Sequence, residues 1–302
     1  MTTPQQFISR FEAVTNQLEI SAANTLNQAL DSAYKQIETE LRKKYPALAN
    51  SGSLMATKDS ILRLEKLKNV LQLLNPQSSQ QLQSEFQKIL QLTNESGDTL
   101  ATQMTRANAG ENWPVKSGEI PIEAAGFAAA NTVAHLNRYS SEFASRATAV
   151  VTQGVIQGWG TAKVASLLRN QLGITKGRAE VIARTEVLSS FNQAVVASYD
   201  NSGIEYVQII ATGDLRTCGT CVARNLKAYR IRDVSVPFHP RCRCTLMPWS
   251  PDWSQNDAWL KRFDQTVRSE FTGTINNGLS AFEKMNGVTS PPVAAWTPAE
   301  LD

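Results

Sequence analysis

All four cysteines of the 302-residue chain, and one of its two histidines, fall between positions 218 and 244. The segment reads Cys218-Gly-Thr-Cys221, a connection through Tyr229 and Pro237, then His239-Pro-Arg-Cys242-Arg-Cys244. Thiolate and imidazole groups bind borderline-soft cations. Two cysteines with two residues between them let a tight turn aim both sulfurs at one tetrahedral ion. Five candidate zinc ligands, Cys218, Cys221, His239, Cys242 and Cys244, therefore compete for four places around a structural zinc. A reduced cluster of buried thiols and a Cys218–Cys221 disulfide are the other states this composition allows.

Catalysis asks for more. A zinc deaminase carries His-x-Glu followed by Pro-Cys-x-x-Cys, and the segment has neither the glutamate nor that order. A cysteine nucleophile needs a histidine base and a group to orient it. Cys242 or Cys244 beside His239 meets the composition, but so many crowded thiols favour a structural role, so the expectation is a protein that is not an enzyme. A hydrolase- or toxin-like C-terminal module and a DNA-binding accessory protein are the alternatives. Arg184 and Glu186, two positions apart, cannot face each other on a helix. They are read as ion-pair residues tying their helix to a cysteine hairpin.

The elements that must position this segment are mostly helices. Phe7, Phe11, Val14, Leu18, Ala22, Leu26, Ala29, Ala33, Ile37 and Leu41 recur every three or four residues and predict one long helix from about residue 4 to the low forties, stopped by Pro46 and Gly52. A second helix is expected from Ser53 or Thr57 to Leu74, ended by Asn75-Pro76, and a third from Ser78 past Leu100, weakened at Gly97. Such narrow apolar stripes pack on one another or on a partner, so self-association through the N-terminal helices is expected. The pattern breaks over Gly110–Pro121, read as a linker or boundary. An alanine-rich helix follows over 122–157, with Phe127, Val133, Leu136, Phe143, Val150 and Val151 as its buried positions and His135 on its surface. Thr161 caps a short helix closed by Gly173, and a longer one runs from Thr175 to about Asn201. Glu205–Thr212 alternates as a strand. Beyond Cys244 the chain is expected to leave along the surface, to form a helix through Trp259 and Phe271, and to end in a proline-rich docking tail carrying Trp296.

Ala183-Arg184-Thr185-Glu186 with Asn192, then Tyr199, then Asp214-Leu-Arg216-Thr-Cys218-Gly-Thr-Cys221, then Pro237-Phe-His239-Pro-Arg-Cys242-Arg-Cys244 occur in one order. Together they resemble the Mu F-type minor head protein family of tailed bacteriophages, over roughly residues 140–250. The resemblance implies a head morphogenesis protein: a structural virion component in few copies inside the capsid beside the portal, acting in head assembly or DNA delivery. Its implied partners are the portal protein, the inner capsid surface and packaged DNA, and its implied locations are the virion and, during assembly, the host cytoplasm. Arg184, Thr185, Glu186 and Asn192 match the structural motif of that family. One departure is the family's frequent Leu-x-Gly after the second cysteine, where this chain has Arg224-Asn225-Leu226-Lys227, so the loop is expected to turn differently.

Composition bounds the reading. With 42% apolar residues the chain can bury a core, and a net charge of +3 is too small for a dedicated DNA-binding body. Arg230, Arg232, Arg241 and Arg243 nevertheless make a local basic cluster that can face DNA. No stretch approaches the ~18 apolar residues of a membrane span, so no membrane anchor is expected, and cysteines confined to one segment suit a reducing compartment. The expected architecture is mainly α: an elongated helical region over 1–112, a small α+β module with the cysteine hairpin over 113–250, and a C-terminal helix and proline-rich tail over 251–302.

Overall fold

The computed structural model describes residues 4–49, 71, 73–118, 122–212, 217–240, 242–253, 261, 262, 264 and 265. Among them are four long helices, α1 (Pro4–Ala49), α2 (Pro76–Ala109), α3 (Ile122–Ile156) and α4 (Thr161–Asn201), followed by a three-stranded sheet with one short helix. No described helix is long and apolar enough to cross a membrane. The expected helix ending at Leu74, the helix through Trp259 and the tail with Trp296 fall largely or wholly outside the described residues.

Helix α1 continues through Pro46 to Ala49. A proline one turn from the end removes a single ladder bond, which a helix end tolerates better than a helix middle does. Its buried positions run Phe7, Phe11, Thr15, Glu19, Ala22, Leu26, Leu30, Tyr34, Ile37, Leu41 and Tyr45. The stripe expected from apolar residues alone was displaced onto the half-buried Leu18, Ala29 and Ala33, because two of the inward positions are polar.

Asn75 opens α2. Its carboxamide oxygen accepts the Ser78 amide at 2.8 Å and the Ser78 hydroxyl accepts the Asn75 amide at 3.0 Å, a reciprocal cap with Pro76 in the first turn. Helix α4 likewise runs unbroken through Gly173 and Gly177. A helical glycine costs about 1 kcal/mol against alanine, and buried Leu168, Leu172, Ala179 and Ala183 on either side hold the helix by packing. In α3, Val133, Leu136, Phe143 and Val151 are buried as expected and His135 is exposed. Phe127 is 70% exposed and Val150 half-buried, since both stand beside the inward face, not on it.

Contacts group the chain into two compact units that interleave along the sequence. One comprises residues 1–20, 88–125 and 184–302, the other residues 21–87 and 126–183. In the second unit, Tyr34 donates to the Ala165 carbonyl at 3.0 Å and Tyr45 to the Trp159 carbonyl at 2.8 Å, fastening α1 to α4 and to the turn before it.

The first unit contains the sheet, ordered β2-β1-β3 and antiparallel throughout, with β1 (Tyr206–Ala211) central, β2 (Ala228–Arg230) and β3 (Cys244–Trp249). Register pairs Val207 with Tyr229, Ile209 with Leu246 and Ala211 with Cys244. All of β3 is buried, Pro248 included, so the chain does not leave along the surface there. An edge strand admits a proline because only one side of its ladder needs donors. Phe7, Ile8 and Phe11 of α1, Leu100, Ala101 and Met104 of α2, and Leu188, Phe191, Val195 and Tyr199 of α4 form one core with Val207, Ile209 and Leu246 of the sheet. Phe11 and Phe191 meet at a ring distance of 5.3 Å. The supposed linker is tied into the same unit: the Trp113 indole donates to the Ser202 carbonyl at 2.8 Å, and Asp98 accepts the Gly118 amide at 2.7 Å.

Candidate metal centre

The first two candidate ligands sit on the short helix α5 (Gly219–Arg224), where Cys218 is the residue before its first turn and Cys221 lies within that turn. The expected cysteine hairpin is therefore a helical turn on one side and a loop entering β3 on the other. One turn of helix brings Cys218 Sγ and Cys221 Sγ to 3.6 Å. The loop supplies His239, whose Nε2 lies 3.1 Å from Cys218 Sγ and 3.2 Å from Cys221 Sγ. It then supplies Cys242, whose Sγ is 3.9 Å from that of Cys221 and whose amide donates to the His239 carbonyl at 3.0 Å. Cys244 is the first residue of β3. The ligand atoms form two overlapping trios, Cys218–Cys221–His239 and Cys221–Cys242–Cys244.

His239 Nδ1 lies 2.8 Å from the Pro240 carbonyl. A carbonyl only accepts, so Nδ1 carries a hydrogen and Nε2 is the nitrogen aimed at the sulfurs. This outer hydrogen bond is the usual way a metal-binding histidine is oriented. Zn–S bonds of about 2.3 Å and Zn–N bonds of about 2.0–2.1 Å give tetrahedral edges of about 3.8 Å between sulfurs and about 3.6 Å from sulfur to nitrogen. The sulfur separations of 3.6 and 3.9 Å fit that figure. The shorter sulfur–nitrogen distances are those of a shared proton.

Charges within the cluster divide accordingly. Hydrogen bonding from Cys221, reinforced by His239, lowers the Cys218 thiol to about 4, against the opposing effect of burial. Burial alone would lower His239, yet Cys218, the negative charge of Cys242 and the Pro240 carbonyl raise it to about 9. Cys221, hydrogen-bonded to Cys218 and Cys242, is pushed up, and Cys242, accepting from Cys221, is pushed down. The lowered Cys218 and raised His239 favour a thiolate beside an imidazolium, and a divalent ion would displace protons on binding.

The buried Asn192 donates to the Leu188 carbonyl at 2.8 Å and to the Cys244 carbonyl at 3.2 Å, and the Tyr199 hydroxyl donates to the Leu246 carbonyl at 3.2 Å. These two residues tie α4 to β3. Arg184 does not: its Nε donates to Glu19 Oε2 of α1 at 2.6 Å. Glu19 is charged yet occupies an inward position of α1, which its residue type does not announce. Glu186 is partly buried, and desolvation raises its carboxyl above the usual range. Thr185 lies between them on α4.

Residues 146–247 match the family model described as Phage Mu protein F like protein. This stretch is Mu F-like. It spans a third of the chain and holds the end of α3, all of α4, β1, β2 and the first four residues of β3, with every candidate ligand inside it. No curated protein and no solved structure gives a significant match. In the loop after α5 the backbone at Leu226 adopts φ 58, a left-handed conformation that favours glycine. The Leu226 amide donates to Ile209 at 2.8 Å and Asn225 caps the Ala211 amide at 2.9 Å, and these bonds hold the leucine there.

Of the basic residues expected to face DNA, Arg230 and Arg232 are exposed, while Arg243 is half-buried along the cysteine cavity. Arg241 lies outside the described residues.

Proposed function

We propose that this protein is a minor head protein of a tailed phage, a non-enzymatic structural component of the virion that lies inside the capsid beside the portal and acts in head assembly and genome delivery. The Mu F match over residues 146–247 carries the reading. The portal protein and the inner capsid surface are its partners, the exposed Arg230 and Arg232 are its contacts to packaged DNA, and the long N-terminal helices are its self-association surface. The cysteine cluster enters as a structural zinc centre that fixes α5 and the His239 loop against β3. Quantitative mass spectrometry of gradient-purified virions and DNA-free procapsids, scaled to the portal protein, tests this. A few copies per portal ring in both particles is the expected result, and absence from both overturns it.

One observation favours a second reading. Cys218 Sγ at 3.1 Å from a histidine whose far nitrogen is held by a carbonyl is the arrangement of an activated nucleophile. Against it, Cys221 competes for the same nitrogen at 3.2 Å. Selective alkylation of Cys218 in the purified protein, leaving the other thiols unreacted, would support catalysis.

A further inference from the structure

We propose that one zinc ion is held by Cys218, Cys221, His239 and Cys242, with Cys244 outside its coordination as a buried thiol hydrogen-bonded to the ligand sulfurs. This rests on the zinc reading above and chooses four ligands from five. Cys221 belongs to both trios, so any ion that uses the cluster takes Cys221. Cys218 and His239 lie within 3.6 Å of it and of each other. The fourth place is then a choice between Cys242 and Cys244.

Placement in the fold selects Cys242. It sits in the loop before β3, one turn from His239, with its amide on the His239 carbonyl. Its sulfur already lies 3.9 Å from that of Cys221, and the loop belongs to no strand. Cys244 is fixed by the ladder to Ala211 and by the Asn192 amide on its carbonyl, so bringing its sulfur to the ion would pull on β3. Charge excludes only the four-thiolate set: three thiolates and a neutral imidazole leave a zinc site at −1 with either cysteine in the fourth place, whereas recruiting Cys244 in place of His239 leaves −2 at a position where Cys242 and Cys244 are each 1% exposed. Burying that second charge unpaired is strongly unfavourable. As a neutral thiol, Cys244 can instead donate to the sulfurs of Cys221 or Cys242, both in its trio. Outer-shell donors of this kind tune a bound ion.

The test uses the full-length protein purified without chelator. Metal analysis of the parent is expected to give one zinc per chain; a chain without zinc overturns the proposal, and it leaves the head-protein reading standing because particle composition is measured separately. Replacement of zinc by cobalt reads the ligand set directly, since the sulfur-to-cobalt charge-transfer intensity scales with the number of thiolates. Intensity for three thiolates is expected, and intensity for four overturns the assignment without any substitution. Cys244→Ala is expected to keep one zinc, with affinity in chelator competition lowered by no more than the about 10- to 100-fold typical of an outer-shell partner. Cys242→Ala is expected to lose more than that, and the reverse order of the two variants refutes the choice.

Discussion

Gly97 and Gly173 both lie inside long helices, and replacing each by alanine should move stability in opposite directions. At Gly173 a methyl group meets nothing within 4 Å. Gly173→Ala should therefore gain the intrinsic helix preference, about 1 kcal/mol. At Gly97 the same methyl would stand 2.5 Å from the Phe191 carbonyl oxygen and 3.0 Å from Ala194 Cβ. Carbon–oxygen contacts settle at about 3.3–3.6 Å, so α2 and α4 must part locally by roughly 1 Å. The atom in the way is backbone and cannot rotate aside. Overpacking of this kind costs about 1–3 kcal/mol, and with a rigid neighbour the upper part of that range applies. After subtracting the helix gain, Gly97→Ala is lower by about 1–2 kcal/mol. Thermal unfolding followed by far-ultraviolet circular dichroism should show a midpoint lowered by roughly 2–8 °C for Gly97→Ala and raised by about 2–4 °C for Gly173→Ala. A Gly97→Ala protein as stable as its parent would refute the close approach of the two helices at this residue.

Three other substitutions probe the frame of the site. Arg184→Ala leaves the Glu19 carboxylate, 8% exposed, without its partner and should cost about 3 kcal/mol in urea unfolding, whereas Arg184→Leu combined with Glu19→Leu should recover most of it. Glu186 has a carboxyl raised by burial, so its contribution favours the fold below its unfolded value and is lost as pH rises through the folded one. Glu186→Gln should thus raise the melting midpoint at pH 8 and give no gain near pH 4; a gain independent of pH would contradict this. Leu226→Gly releases about 1 kcal/mol of left-handed strain against lost packing and should stay within about 1 kcal/mol of the parent, while Leu226→Val, β-branched at φ 58, should be clearly less stable in the same assay.

Period and residue type carried much of this structure. The helical spacing of α1 and α3, the alternation of β1 and the crowding of thiols at 218–244 are local patterns, and the elements follow them. Features set by distant neighbours were not legible. Gly97 and Gly173 look alike in sequence, yet one meets the Phe191 carbonyl and the other open space. Thr15 and Glu19 occupy inward positions of α1 that an apolar pattern cannot announce. The partner of Arg184 lies 165 positions away, so the ion pair was visible as a possibility while its partner was not. At the site, the CxxC spacing specified two neighbouring sulfurs, but only the loop geometry showed one imidazole nitrogen serving both and Cys244 held apart in a strand.

Phe7 and Phe11 belong to the same core as Phe191, Val207 and Leu246. Translation makes these partners late. At about 5–20 residues per second, synthesis from residue 20 to the end of β3 takes roughly 10–45 s, and throughout that time the first turns of α1 have no finished core to enter. Expression of residues 146–247 alone would remove the same partners permanently, presenting the sheet and the cysteine cluster without the aromatic rings that cover them. The core of the segment recognisable as Mu F-like is thus completed by residues made long before it.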